Sequence, residues 1–359
     1  MSQLTAQLTE YKTHIDTDIR VYAAHVRRTT ADQYGMYPAI VTNAFLDMLE
    51  RGGKRLRGAL VIAGYQMCGG SDMAMIVRAA TAIEMIHTHL LIIDDIQDKS
   101  SVRRGRPTVH EILKTYHQKQ GFSGDSRHTG TSLGINAALT GGYAAQMLIA
   151  GLNVEPQLRS NAMGIIAHAV LTTAHGQTLD FIQELKGQAT EADIEHTMEW
   201  KTAYYSILNP LCVGMVLAGA GCADTDAIRE YALHAGKAFQ ITDDILGVFG
   251  ADAVTGKSSL DDMREGKQTI LTVYIDKHAE VSQRTYFKQC LGKSDLTQAE
   301  LLRCQAILRE SGALAYAEKL AAKYAAIAVS ALDHAPRNWH KKHVRFMQEL
   351  VESFVERNV

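Results

Sequence analysis

Two short runs of aspartates, DDIQD at Asp94–Asp98 and DDILG at Asp243–Gly247, are the residues of this sequence best suited to do chemistry. Asp94 and Asp98 are four apart, so a helix puts both carboxylates on one face, one turn from each other. Asp95 adds a third negative charge beside them. Like charges at that spacing repel, which points to a bound cation. A set of hard oxygen donors without His or Cys suits Mg²⁺, which takes one or two carboxylates and fills its shell with water and phosphate oxygens. Alone, such a run also fits a solvated acidic helix end. Here KSSVRRGRPT follows directly, with Arg103, Arg104 and Arg106 in a loop. Guanidinium forks match phosphate oxygens bidentately. Metal-type carboxylates followed by an arginine pair point to a diphosphate held from both sides.

The second run follows the apolar stretch KAFQIT. One turn on from Asp243 stands Gly247, so Asp243 and Asp244 lack a third carboxylate. Lys257, Asp261, Asp262 and Lys267 lie downstream in a polar segment. Upstream, GGKRLRG at 52–58 sets Lys54, Arg55 and Arg57 beside Gly52 and Gly53. Glycines let backbone approach a ligand closely, and the N–H groups of a following helix start favour anions. By itself this segment fits a turn with solvated lysines equally well. His87, seven residues before Asp94, reads either as a buried core histidine or as a ligand. Lys201 is open in the same way. Tyr204 and Tyr205 fit the core, and Pro210 should kink their helix.

The elements that must position these groups read as helix after helix. Amphipathic spacing covers 3–30 and 37–51, and strongly apolar helical spacing covers 54–68 and 72–98. A short helix over 107–119 precedes the clearest loop, GFSGDSRHTGT at 121–131. Helical pattern continues over 132–151, 156–186, 190–220 and 225–249. A polar loop over 250–267 follows, and then come 268–291, 297–311, 313–333 and 337–356. Alternating β-branched runs are missing, and only 5 prolines occur in 359 residues. The expectation is a single all-α domain over 1–359, with the helix at 72–93 apolar all round and therefore central. Hydrophobic residues at 46% and charged residues at 21% permit a sizeable core. A formal net charge of −2 gives no global basic field, so nucleic acid is not the expected partner. The 5 cysteines are scattered without a CxxC pair, so neither a zinc site nor a disulfide framework is suggested, which fits a reducing cytoplasm. The polar N-terminus has no apolar signal core, and no uninterrupted apolar stretch reaches membrane-span length.

Taken in order, GGKRLRG, EMIHTHLLIIDDIQD, RRGRPT, GQTLD, KTAYY, FQITDD, GK and EGK resemble the trans-isoprenyl diphosphate synthases, the family of farnesyl and geranylgeranyl diphosphate synthases. The resemblance runs from about Phe45 to Thr269, so the core motifs span 45–269. It implies one isoprenoid-synthase helical bundle around a central apolar cavity, with the two aspartate runs facing each other. It also implies a transferase that condenses isopentenyl diphosphate with dimethylallyl, geranyl or farnesyl diphosphate. By resemblance, Asp94 and Asp98 bind two of three Mg²⁺ ions, with Asp95 in support. Asp243 holds the third, with Asp244 nearby. Arg103, Lys201, Lys257 and Lys267 grip the allylic diphosphate. Lys54, Arg57, His87 and Arg104 hold isopentenyl diphosphate, with Gly53 offering backbone and Arg55 less clearly placed. Thr202 and Gln240 stabilise the allylic cation, while Gln177 and Asp180 face the pocket. The resemblance also implies a homodimer.

In that family a bulky residue five before the first aspartate limits product length. His89 stands there, with Leu90, Met85 and Ile86 expected to line the pocket below Asp94. The expectation is a C20 product, then C15. Three departures stand out: Gly247 in the second aspartate run, Gly142 in TGG, where many relatives have an aspartate, and Ile93 and His89, where many relatives have histidine and alanine. Two other classes share parts of this pattern. A non-catalytic subunit would have lost an aspartate run or the basic motifs, and a class I terpene cyclase would lack GGKRxR and the Arg103–Arg104 pair. Irregular coupling on the same fold also stays open.

Overall fold

The computed structural model describes residues 2–250 and 260–356. Its elements are α1 (Gln3–Tyr34), α2 (Met36–Glu50), α3 (Leu56–Met67), α4 (Met73–Gln97), β1 (Val102–Arg103), β2 (Arg106–Pro107), α5 (Val109–Gln120), α6 (Ser126–Ala150) and α7 (Pro156–Lys186). Then follow α8 (Glu191–Thr197), a π-helical segment (Met198–Leu208), α9 (Asn209–Leu217), α10 (Cys222–Ala227) and α11 (Arg229–Phe249). After them come α12 (Asp261–Glu265), α13 (Ile270–His278), α14 (Val281–Cys290), α15 (Gln298–Glu310), α16 (Ala313–Ala331), a 3₁₀ turn (Leu332–His334) and α17 (Lys341–Val355). The all-α expectation holds, apart from the β1–β2 hairpin in the arginine loop, where Val102 pairs with Pro107 and Arg103 with Arg106.

Several boundaries differ for local reasons. The loop expected over 121–131 is short. Gly121 ends α5 in the left-handed region at φ +65°, and the Asp125 side chain accepts from the Arg127 N–H at 2.9 Å. Helix α6 therefore starts at Ser126 rather than at 132. The helix expected over 190–220 opens with a Thr190–Asp193 capping box and then widens into 11 residues of π-helix. Pro210 follows directly on the π-helical segment in the same unbroken helix, where it has no backbone N–H to donate. The stretch expected over 268–291 breaks into α13 and α14 around Ala279.

The chain forms two compact units, Met1–Gly164 with Pro210–Gly219 and Ile165–Asn209 with Ala220–Val359. In the first, α4 is central: its Ala79, Ala80, Ala82 and Met85 are fully buried. It packs on α1, α3 and α6. By length and composition α4 alone among the described helices could cross a membrane, but 67% of its apolar window is buried inside the protein. Backbones close up where side chains are missing. A Cβ on Gly64 would lie 2.5 Å from the Leu211 carbonyl oxygen, and one on Gly214 would lie 2.0 Å from that of Val61, so α3 and α9 cross at near-contact. In the second unit α11 is the hub, packed on α16, α17 and the π-helical segment. Its Tyr231, fully buried, donates to the Met347 carbonyl of α17 at 2.8 Å.

Candidate active site

The first unit gathers the basic turn, the arginine pair and the first aspartate run. Asp94 and Asp95 close α4, and Asp98 is its C-cap. The chain then turns back through Lys99 at φ +55° and Arg104 at φ +55°, and Arg55 at φ +51° bends the basic turn. These are the only non-glycine residues in the left-handed region among those described. Such strain collects where a site needs a particular backbone path. Asp47 on α2 fixes the hairpin. It pairs with Arg51 at 2.7 Å and Arg106 at 2.8 Å, and Arg51 donates to the Arg103 carbonyl at 3.3 Å.

The hairpin splits its two arginines. Arg103 reaches Asp95 at 2.5 Å and Asp94 at 3.1 Å. Arg104 points the other way and donates to the Gly52 carbonyl. Gly53, at φ +133°, leaves room for it: a Cβ there would lie 3.0 Å from the guanidinium. Burial, reinforced by Arg55 and Arg103, pulls Arg104 down to about 10. Next to this turn, Arg57 donates to Nε2 of His87 at 3.3 Å. Burial first, then Arg57, Arg104, Arg103 and Arg55, hold His87 well below its ordinary value, so the ring is neutral. Lys54 is exposed at the mouth of the turn, while Arg55 points inward and is 2% exposed. Of the residues expected below Asp94, Met85 and Ile86 are sealed in the core and His89 and Leu90 are half-buried. Nδ1 of His89 donates to the Ala138 carbonyl of α6 at 2.7 Å. The ring lies over Gly142, whose missing Cβ would stand 3.1 Å away. Two of the departures noted in the sequence, His89 and Gly142, therefore touch.

The second unit gathers the remaining groups around the π-helical segment, which carries Lys201 and Thr202. Two glycines bring its neighbours in: a Cβ on Gly176 of α7 would lie 2.5 Å from the Lys201 nitrogen, and one on Gly236 of α11 would lie 2.4 Å from Cα of Ala203. Lys201 then reaches Asp180 of α7 at 2.5 Å. Thr202 donates to Oε1 of Gln240 at 2.6 Å, and Nε2 of Gln240 donates to Asp244 at 2.7 Å. This chain fixes which way the Gln240 amide faces. Asp243 is exposed and Gly247 half-buried on α11. Lys267 pairs with Glu265 at 2.9 Å. Asp244 and Lys267 also border a cavity of ≈ 20 Å³ floored by Val248, Phe287 and Leu308. It has room for a water and is far below the roughly 300–1,000 Å³ of a ligand pocket. Gln177 is half-buried on α7. Lys257 lies outside the described residues. Tyr205 is core, 7% exposed.

Among the described residues no three His, Cys, Asp or Glu side chains converge as a metal cage. Magnesium takes few carboxylates and fills its shell with water and phosphate oxygens. Asp94 and Asp98 are half-buried with oxygen-only donors, whereas Asp95 is 1% exposed and taken up by Arg103. Reading motifs alone missed Asp16, Asp47, Arg51 and Glu84, which hold the loops. The Lys12–Asp16 and Asp47–Arg51 spacings of four carry the only sequence signal.

A family model described as polyprenyl synthetase matches residues 38–308. The chain belongs to the polyprenyl synthetase family. Within it, the geranylfarnesyl diphosphate synthase of Aeropyrum pernix is 33% identical over 311 residues, spanning 85% of this chain and 91% of its own length. The geranylgeranyl diphosphate synthase of Saccharolobus solfataricus is 30% identical over 296 residues, spanning 82% and 83%. The crystal structure of geranylgeranyl pyrophosphate synthase from Corynebacterium glutamicum, complexed with isoprenyl diphosphate and magnesium, superposes with a TM-score of 0.91. It is 27% identical and covers 98% of this chain and 99% of its own. The polyprenyl synthetase match takes in every motif from GGKRLRG to EGK, and the fold is that of these synthases.

Proposed function

We propose that this chain joins isopentenyl diphosphate to an allylic diphosphate, giving a short all-trans prenyl diphosphate. The observation that carries this reading is the splitting of the arginine pair. Arg103 is held at the first aspartate run, and Arg104 is held on the Gly52–Gly53 turn beside Arg57 and His87. Two guanidiniums turned to two different polar sets suit two diphosphates, which is what a condensing enzyme binds and a cyclase does not.

Asp94, Asp98 and Asp243 would hold magnesium, three ions in all, with Asp244 beside them. Magnesium would neutralise the allylic diphosphate as its C–O bond breaks. Arg103, Lys201 and Lys267, with Lys257, add fixed positive charge to that leaving group. Asp95 acts through Arg103 rather than as a ligand. Lys54, Arg57, Arg104 and the Gly53 backbone grip isopentenyl diphosphate, and neutral His87 adds a hydrogen bond. Oxygen dipoles of Thr202 and Gln240 face the allyl cation, their directions set by the Thr202–Gln240–Asp244 chain. Lys201 is tempered by Asp180, so a cation nearby meets less repulsion. Attack by the isopentenyl double bond forms the new C–C bond. The departing diphosphate takes the proton that is then lost.

The half-buried His89 would close the floor of the chain pocket, which favours C20 over C15. A second copy of the chain is the expected partner. Ile135, Leu139, Tyr143 and Met147 support it, four apolar residues spaced by four on α6 and 41–75% exposed. Five free thiols fit a reducing cytoplasm.

The test is product chromatography with isopentenyl diphosphate and each of the C5, C10 and C15 allylic starters, with Mg²⁺ and after chelation. The expected result is mainly C20 from every starter and nothing after chelation. Product without divalent metal, or only chains beyond C25 from farnesyl diphosphate, contradicts the reading.

A further inference from the structure

Glu84 is used by no step above, yet it sits ten residues before Asp94 on α4 and is 2% exposed. A buried carboxylate is costly unless it is paired and hydrogen-bonded. Its two oxygens face one loop. Oε1 accepts from the Gly58 N–H at 2.9 Å, one of the donors left over in the first turn of α3. Oε2 meets the Arg55 guanidinium at 3.4 Å. Arg55 also donates to Asp16 at 2.8 Å and to the Leu49 carbonyl at 2.7 Å, so its fork is held from α1, α2 and α4. Gly58 makes the approach possible: a Cβ there would lie 3.2 Å from Cγ of Glu84 and 2.8 Å from Cδ1 of Ile15.

This network sets the path of GGKRLRG. Arg55 is in the left-handed region at φ +51°, a conformation that costs a non-glycine residue of order 1–3 kcal/mol unless its surroundings impose it. With Arg55 drawn inward, Lys54 is left exposed at the mouth, and Arg57 is left against His87. We infer that Glu84 is a positioning residue for the isopentenyl diphosphate subsite: through Arg55 and the Gly58 N–H it holds the turn that presents Lys54 and Arg57. This rests on the condensation reading above. The charge matters as well as the shape. A neutral amide could keep the Gly58 bond but would leave Arg55 with one carboxylate in place of two.

The test is two-substrate kinetics of Glu84→Gln and Glu84→Asp, well below their Tm values, with Tm measured alongside. The expected result is a rise of about tenfold in KM for isopentenyl diphosphate, about 1.4 kcal/mol. KM for the allylic substrate should stay within twofold of wild type. A general packing role would lower Tm and leave the two KM values equal or moving together, and either of those results overturns the inference. Should the single variants fail to fold, the charge-free pair Arg55→Gln/Glu84→Gln is measured. The same KM split supports the inference, and its absence overturns it. Failure of the wild-type protein to consume isopentenyl diphosphate would instead strike the condensation reading itself.

Discussion

His87 shows how much one residue's state depends on its neighbours. Alone on an apolar helix face it could be core or ligand. In the structure four arginines and burial keep it neutral, with Nε2 accepting from Arg57. An unfolded chain protonates a histidine near about pH 6.5, whereas folded His87 does so only at lower pH. The unfolded state therefore binds more protons below that point, so stability is full above about pH 6.5 and falls as the pH drops. Melting curves from pH 7 to 5 should show Tm declining for the ligand-free protein. The decline should be shallower in His87→Gln, by about one proton's share of the slope. His89, His110 and His343 are depressed by burial too, so part of the decline will remain. Parallel slopes for wild type and variant would contradict this account of His87. The residue types at the site were legible because carboxylate runs and paired arginines have few other uses at such density. Their partners were not. Nothing in the spacing of Asp16, Asp47 or Glu84 announces that each meets an arginine of a different element.

At the scale of elements, helix existence followed apolar period and helix ends followed cap chemistry. Asp125 starts α6 inside a stretch that composition alone reads as loop, because one side chain satisfying a helix N–H outweighs Gly, Ser and Thr content. The π-helical turn through Lys201 and Thr202 has no sequence signature of its own. It is accompanied by Gly176 and Gly236, which let α7 and α11 close on it. The packing of α6 on α4 joins two sequence oddities, His89 and Gly142. If His89 floors the chain pocket, the two positions should act in opposite directions. His89→Ala removes the ring and should lengthen the product by at least one C5 unit. Gly142→Ala puts a Cβ 3.1 Å from the ring, pushes it off α6 and should shorten the product. In the double variant the alanine at 89 should dominate. Product distributions read by chromatography check this, and unchanged lengths in both single variants would contradict it.

Over the whole molecule, the proposed site residues are divided between the two units. The first unit carries the basic turn, His87, the first aspartate run and the arginine pair, and the second carries Lys201, Thr202, Gln240, Asp243, Asp244 and Lys267. This division explains why an ordered string of motifs across 45–269 was readable without any fold. Each motif keeps its local spacing wherever its helix ends up, while the tertiary supports leave no such mark. The all-α architecture was legible for the same reason, since period and the shortage of proline act along the whole chain. The central proposal is that this chain condenses isopentenyl diphosphate with an allylic diphosphate and needs both aspartate runs to do so. The most direct measurement counts pyrophosphate released against isopentenyl diphosphate consumed, with Mg²⁺ and an allylic starter, in wild type, Asp94→Asn and Asp243→Asn. The account predicts one pyrophosphate per isopentenyl unit joined, with both events falling together by about 100-fold or more in either variant. Pyrophosphate released from the allylic substrate without isopentenyl consumption would contradict it, and would mark a cyclase-type ionisation instead.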